Sequence, residues 1–326
     1  FDQAALADLE RRAVVDQPTL AWLADYRFTG DVWGYGEGEC FFPYSPLLVV
    51  EASFAEAVVL ETVVLSILNF DSAIASAASR MTTAAGDRPC IEMGSRRAHE
   101  WAAVAAARAA YVAGFASTSN LEAGRTYGVP TRGTSAHSFT LLHDTERDAF
   151  TAQVDSLGKG TTLLVDTFDV ETAVALAVDV AGPELGAVRL DSGDLLVQAH
   201  AVREQLDALG ASNTKIIVTS DLDEHAIAAL AAAPVDAYGV GTALVTDGRV
   251  RLQAGRPRRA RRGDGRGREG EQPQEERGWT QVRLPAPIAR WRRRGGGDRI
   301  GHDCPTLCCR SAAADPAHPG RRRGRA

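Results

Sequence analysis

Four short runs of this chain bring together side chains able to do chemistry. In Gly133-Thr-Ser-Ala-His137 a histidine stands in a small polar turn after Pro130, outside any apolar periodicity. To act as a nucleophile or general acid/base, its imidazole needs one ring nitrogen free and the other held by a partner. The plainer reading is a loop histidine satisfied by local hydrogen bonds. In Arg189-Leu-Asp-Ser-Gly-Asp194 the alternation of a strand end puts Arg189 and Asp191 on one face. A guanidinium there can clamp a carboxylate or phosphate, and Asp191 can hold a ribose hydroxyl or a metal-bound water. Ser192 and Gly193 can bring backbone N–H groups to an anion. The alternative is an Arg189–Asp191 ion pair that braces the rim.

Gly239-Val-Gly241-Thr242 reads as a phosphate-binding turn, because glycine lets backbone approach an anion and Thr242 adds a hydroxyl; two glycines also make an ordinary tight turn. Gly94-Ser-Arg96-Arg97 supplies two guanidiniums, suited to an anionic ligand or to a solvated basic turn. As a constellation, arginines, a histidine and glycine turns at strand ends point to a negatively charged, phosphorylated substrate.

The elements that must hold these runs read as follows. Residues 1–30 predict a helix and its exit, and 31–35, 39–43 and 46–52 predict short strands of a small β-rich element. A long helix over 54–83 is apolar on more than one face. Beyond it, strands predicted at 90–93, 113–118, 161–166, 187–191, 215–220 and 237–241 alternate with helices at 98–113, 144–157, 170–180, 194–209 and 222–232. Continuous apolar strands separated by amphipathic helices mean parallel βαβ units. Nearly every strand ends in a polar or glycine turn, which favours a (β/α) barrel with its site at the C-terminal face over an open doubly wound sheet.

Composition separates two kinds of polypeptide. The 326 residues carry a formal charge of −6, but residues 248–326 hold 21 Arg and 8 acidic residues, a balance of +13, which leaves −19 for 1–247. The later segment also has 13 of the 31 Gly and 7 of the 14 Pro, so it predicts disorder. Cys40 and Cys90 alone in 247 residues make no disulfide framework and suit a reducing cytoplasm. His302, Cys304, Cys308 and Cys309 match no zinc spacing. No apolar run near 18 residues suggests a membrane span, and Phe1 follows no leader, which reads as the start of a fragment.

From about Gln17 to Asp247 the chain resembles nicotinate phosphoribosyltransferase, a type II phosphoribosyltransferase. The resemblance rests on Leu23-Ala-Asp-Tyr-Arg-Phe-Thr-Gly-Asp, Gly38-Glu-Cys-Phe-Phe-Pro, Glu92-Met-Gly-Ser-Arg-Arg, Gly114-Phe-Ala-Ser-Thr-Ser-Asn, Gly133-Thr-Ser-Ala-His-Ser-Phe, Val188-Arg-Leu-Asp-Ser-Gly-Asp and Tyr238-Gly-Val-Gly-Thr. It implies an irregular (β/α) barrel-like parallel domain over 54–247, the remnant of a smaller α/β domain over 1–53, and a disordered tail over 248–326. It also implies formation of nicotinate mononucleotide and pyrophosphate from nicotinate and phosphoribosyl pyrophosphate, coupled to ATP hydrolysis through a phosphohistidine, with Mg²⁺, in a cytoplasmic homodimer serving NAD salvage.

By the same resemblance His137 is the phosphorylated residue, Thr134 contacts the nicotinate side, Arg189 is a substrate-binding arginine, and Asp191 stands near it as a second catalytic residue. Ser192, Gly193, Gly239, Gly241 and Thr242 hold the phosphoribosyl part, and Arg96 and Arg97 a further anion; metal ligands are not identified. The family's stacking tyrosine would precede Phe1, and the segment after Asp247 departs from the family pattern as a frame-shifted reading would. The alternatives are a related nicotinamide or quinolinate phosphoribosyltransferase, or an inactive fragment whose basic tail sticks to nucleic acid without specificity.

Overall fold

Two helices, α1 (Gln3–Arg11) and α2 (Gln17–Ala24), open the chain in a computed structural model that describes residues 1–246 and the strand 289–291. The expected single helix is broken because Asp16 caps a second one, accepting from the Thr19 N–H, with Pro18 in its first turn. Strand β1 (Asp31–Gly34) pairs antiparallel with β2 (Leu48–Glu51). The strand expected at 39–43 does not form, since Gly36 and Gly38 turn the chain there. A third strand on this sheet lies within the segment expected to be disordered: Ala289–Trp291 pairs antiparallel with β1. The rest of 248–326, with His302, Cys304, Cys308 and Cys309, lies outside the described residues.

Helix α3 (Phe54–Ala85) starts at a reciprocal cap, in which Ser53 and Glu56 satisfy each other's backbone and side chains. By length and composition it could cross a bilayer, contrary to the expectation from apolar runs. Its second half instead packs into the core through Ile74, Ala77, Ala78, Met81 and Ala85.

The main sheet has six parallel strands: β3 (Cys90–Glu92), β4 (Ser117–Thr118), β5 (Thr162–Leu164), β6 (Ala187–Leu190), β7 (Lys215–Val218) and β8 (Ala237–Val240). Their order is β4-β3-β8-β7-β6-β5. The sheet therefore curls until its last strand pairs with its first, as a barrel does, and stays unpaired between β4 and β5. This is the expected barrel-like domain in half-closed form. Outward-facing Cys90, Leu163, Val188, Leu190, Ile216, Val218, Tyr238 and Val240 join one core with the surrounding helices. Those helices are α4 (Glu100–Val112), α7 (Glu146–Leu157), α8 (Val170–Ala181), α9 (Leu195–Ala208) and α10 (Glu224–Ala229). Burial of apolar area on this face stabilises the sheet at roughly 25 cal/mol per Å².

Three short helices fall where only turns were expected: α5 (Leu121–Tyr127), α6 (His137–Leu142) and α11 (Thr242–Thr246). Each is too short to show a helical period. The open side of the barrel is crossed by residues 130–135. The Thr118 N–H donates to the Pro130 carbonyl and the Arg132 N–H to the Thr118 carbonyl, so the segment runs parallel beside β4.

Candidate active site

The parallel register places one polar residue just beyond the end of each of β5, β6 and β7. Leu164 pairs with Arg189 and Leu190 with Val218, so the next positions bring Asp166, Asp191 and Thr219 side by side at the C-terminal mouth. Around them the network is dense. Arg189 is buried and donates through Nε to Thr219 Oγ1 at 2.8 Å, through Nη1 to Thr134 Oγ1 at 2.7 Å, and through Nη2 to Asp191 Oδ1 at 2.8 Å. The Arg189–Asp191 ion pair is thus present, and the same guanidinium ties down the turn that precedes His137. Thr219 donates its hydroxyl to Asp191. Burial pushes the Asp191 carboxyl up, but the Thr219 hydroxyl, Arg189 and His137 outweigh it and hold the group below the usual carboxylate range.

His137 is the first residue of α6, not part of an open loop. Its Nε2 lies 3.2 Å from Asp166 Oδ1; the imidazole is 40% exposed and the carboxylate only 2%. The other oxygen of Asp166 accepts from the Asp191 N–H at 2.8 Å and from Ser192 Oγ at 2.6 Å. The Ser192 hydroxyl at this turn is thus held by the protein's own carboxylate. Gly193 turns there with φ +78°, where a Cβ would strike the Gln198 amide. Gln153, buried on α7, accepts from Ser135 Oγ at 2.8 Å and donates to Thr161 Oγ1 and the Thr162 carbonyl, each at 2.8 Å.

The other anion-directed turns sit across the mouth. Gly239 lies inside β8, packed against the side chains of Thr219 and Met93. A side chain there would collide with both. Gly241 passes under the Met93 carbonyl, and Thr242 begins α11 with its hydroxyl 3.4 Å from Asp221 Oδ1. Arg96 and Arg97 end a short 3-10 turn (Ser95–Arg97), are exposed, and make no ion pair or hydrogen bond through their side chains among the described residues.

Sequence reasoning named His137, Asp191, Thr134, Arg189 and Ser192, and these converge. Asp166, Thr219, Asp221 and Glu92 were passed over, although Asp166 and Thr219 stand level with Asp191 just beyond neighbouring apolar strands; that shared level was the available signal. Among the described residues no three His, Cys, Asp or Glu side chains gather to hold a metal.

No family model matches this chain. It is similar to nicotinate phosphoribosyltransferase pncB1 of Mycobacterium tuberculosis, with 63% identity over 240 residues covering 71% of this chain and 54% of that protein. Among solved structures it is similar to human nicotinic acid phosphoribosyltransferase, with TM-score 0.66, 29% identity, 74% of this chain and 62% of that one covered. It is also similar to nicotinate-nucleotide pyrophosphorylase from Pyrococcus furiosus, with TM-score 0.64, 31% identity, and 68% and 58% covered. The chain spans about half the length of the curated relatives it matches.

Proposed function

We propose that this chain, homologous to the nicotinate phosphoribosyltransferases along its barrel, carries the catalytic face of such an enzyme. It would form nicotinate mononucleotide and pyrophosphate from nicotinate and phosphoribosyl pyrophosphate in cytoplasmic NAD salvage. The observation that carries this reading is the buried Asp166 carboxylate beneath His137, next to the Arg189–Asp191 pair.

Asp166 accepts the Nε2–H of His137, which leaves the lone pair of Nδ1 outward and nucleophilic. That nitrogen attacks the γ-phosphorus of ATP; the bond to the bridging oxygen breaks, ADP leaves, and the phosphoryl group stays on His137 until water removes it. Asp166 balances the positive charge that the imidazole gains in the attack. On the pyridine side Thr134 and Arg189 form the wall. The Nη1 contact of Arg189 to Thr134 is the one a nicotinate carboxylate would replace. Gly241 and Thr242 take the phosphate of the ribosyl unit, with Ser192 and Gly193 at its edge, and Arg96 and Arg97 take the departing pyrophosphate.

As pyrophosphate leaves, the ribosyl carbon becomes oxocarbenium-like, and the cationic turns stabilise the negative charge that moves to the leaving group. The side chains of this face do not make a metal cage, so a Mg²⁺ ion fits only as one carried by the substrate phosphates, and no step is routed through it. The related reading, a preference for nicotinamide or quinolinate, belongs to the same test. The chain is incubated with γ-labelled ATP, and product formation is followed with each of the three pyridines. A histidine-linked label absent from His137→Ala, with nicotinate preferred, is the expected result. No label on the parent chain overturns the ATP-coupled mechanism, and product from another pyridine alone overturns the substrate assignment.

A further inference from the structure

Glu92 closes β3 with 1% of its surface exposed, and the chemistry described so far makes no use of it. A buried carboxylate is costly unless donors meet both oxygens. Here Oε1 accepts the Gly94 N–H and Oε2 accepts the Thr118 hydroxyl. The direction of that hydroxyl is fixed, because Thr118 Oγ1 is itself the acceptor for the Asn120 N–H at 2.9 Å. Asn120 then reaches back across the gap: its Nδ2 donates to Ser95 Oγ at 3.0 Å, while its Oδ1 caps α5 through the Ala123 N–H at 2.9 Å.

The third side of this junction is β8. The Met93 N–H donates to the Val240 carbonyl at 2.7 Å, and Gly94 sits so close to Gly241 that a Cβ on Gly94 would lie 3.1 Å from the Gly241 carbonyl. The buried carboxylate therefore ties the turn after β3 to β4, while backbone contacts of Met93 and Gly94 seat the same turn on β8, at the point where Arg96 and Arg97 leave the sheet. Burial pushes the Glu92 carboxyl above the usual carboxylate range, and the Thr118 and Gly94 donors reclaim part of that shift.

We propose that Glu92 is a positioning residue, whose carboxyl group locks the 94–97 turn onto β4, beside β8, and so presents Arg96 and Arg97 to the pyrophosphate group. The identity of that anion rests on the proposed function; the lock itself does not. Glu92→Gln keeps the shape but turns one acceptor into a donor, and Thr118→Val removes the hydroxyl at constant volume.

The test uses the full chain. Amide hydrogen exchange without ligand reads the lock, and calorimetric titration with pyrophosphate and, separately, nicotinate reads its consequence. In both variants exchange at Gly94, Arg97 and Asn120 accelerates at least tenfold, and that at Val188 and Ile216 in β6 and β7 stays unchanged. Pyrophosphate affinity falls about tenfold, as expected for a misplaced charge-assisted contact, with nicotinate affinity within twofold. Thr118→Ser, which keeps the hydroxyl, recovers what Thr118→Val loses. Unchanged exchange at 94–97 overturns the proposal, as does equal weakening of both ligands. If the parent chain binds no pyrophosphate, the proposed function fails while the exchange measurement still decides the role of Glu92.

Discussion

An imidazole that is 40% exposed keeps one orientation only if something buried holds it, and Asp166, with 2% of its side chain exposed, does so for His137 at 3.2 Å. The carboxylate is in turn fixed by the Asp191 N–H and the Ser192 hydroxyl, so the tautomer follows from the end of the neighbouring strand. Asp166→Asn keeps the size and loses the negative charge. On the proposed mechanism it lowers the rate of ATP-dependent labelling at His137 by about 10²-fold, with little change in thermal midpoint, because charge-balancing partners contribute on that scale. Measuring the label and the midpoint on one preparation checks both halves.

Asp191 gives a pH prediction. Its folded pKa lies below its ordinary value of 3.8, so its stabilisation is complete above that value and is lost only as pH falls through the lower folded one. Thr219→Val removes a hydroxyl that lowers this pKa. A side-chain NMR titration of Asp191 in that variant moves upward from the parent value, and the stability lost on acidification is smaller and its loss is complete at a higher pH.

At the scale of elements, the unpaired gap between β4 and β5 decides how the site is built. An exposed edge would leave the Thr162 carbonyl without a donor. Gln153 supplies one from α7 and uses its other end to hold Ser135, two residues before His137. Gln153→Leu leaves that carbonyl and the Ser135 hydroxyl without their partner and costs about 1–3 kcal/mol of unfolding free energy in a denaturant titration. A cost within error of zero would show that the gap does not need this amide.

The same elements show what a sequence can disclose. The parallel strands were legible because their apolar runs are bounded by polar ends, as in Thr161-Thr-Leu-Leu-Val-Asp and Lys215-Ile-Ile-Val-Thr-Ser. Helices α5 and α6 were not, since seven and six residues are too few for a 3.6-residue period to stand out. The close packing at Gly239 was not legible either: a glycine packed against Thr219 and Met93 looks the same in sequence as one that lets a phosphate approach. The partner of His137 was hidden because Asp166 is adjacent in register and 29 residues away in the chain.

For the whole molecule, the −6 formal charge is the sum of −19 over 1–247 and +13 over 248–326, so surface electrostatics near the site follow the first figure. In that acidic body the exposed guanidiniums of Arg96 and Arg97, without partners among the described residues, are local exceptions. A second feature at this scale is α3, whose apolar side chains are buried only in its C-terminal half; Phe54, Val58, Val63 and Ile67 are exposed. Single exposed apolar residues are ordinary, but Val63 and Ile67, four residues apart, share one helix face and expose an apolar strip that can favour association. Because these side chains contribute little to the core, Val63→Lys combined with Ile67→Lys shifts the thermal midpoint by no more than about 2 °C, as surface substitutions do. The same pair reduces binding of a hydrophobic fluorescent dye and the growth of light scattering with concentration. A fall in midpoint beyond about 5 °C would place Val63 and Ile67 in a packed environment and remove the patch as a cause of association.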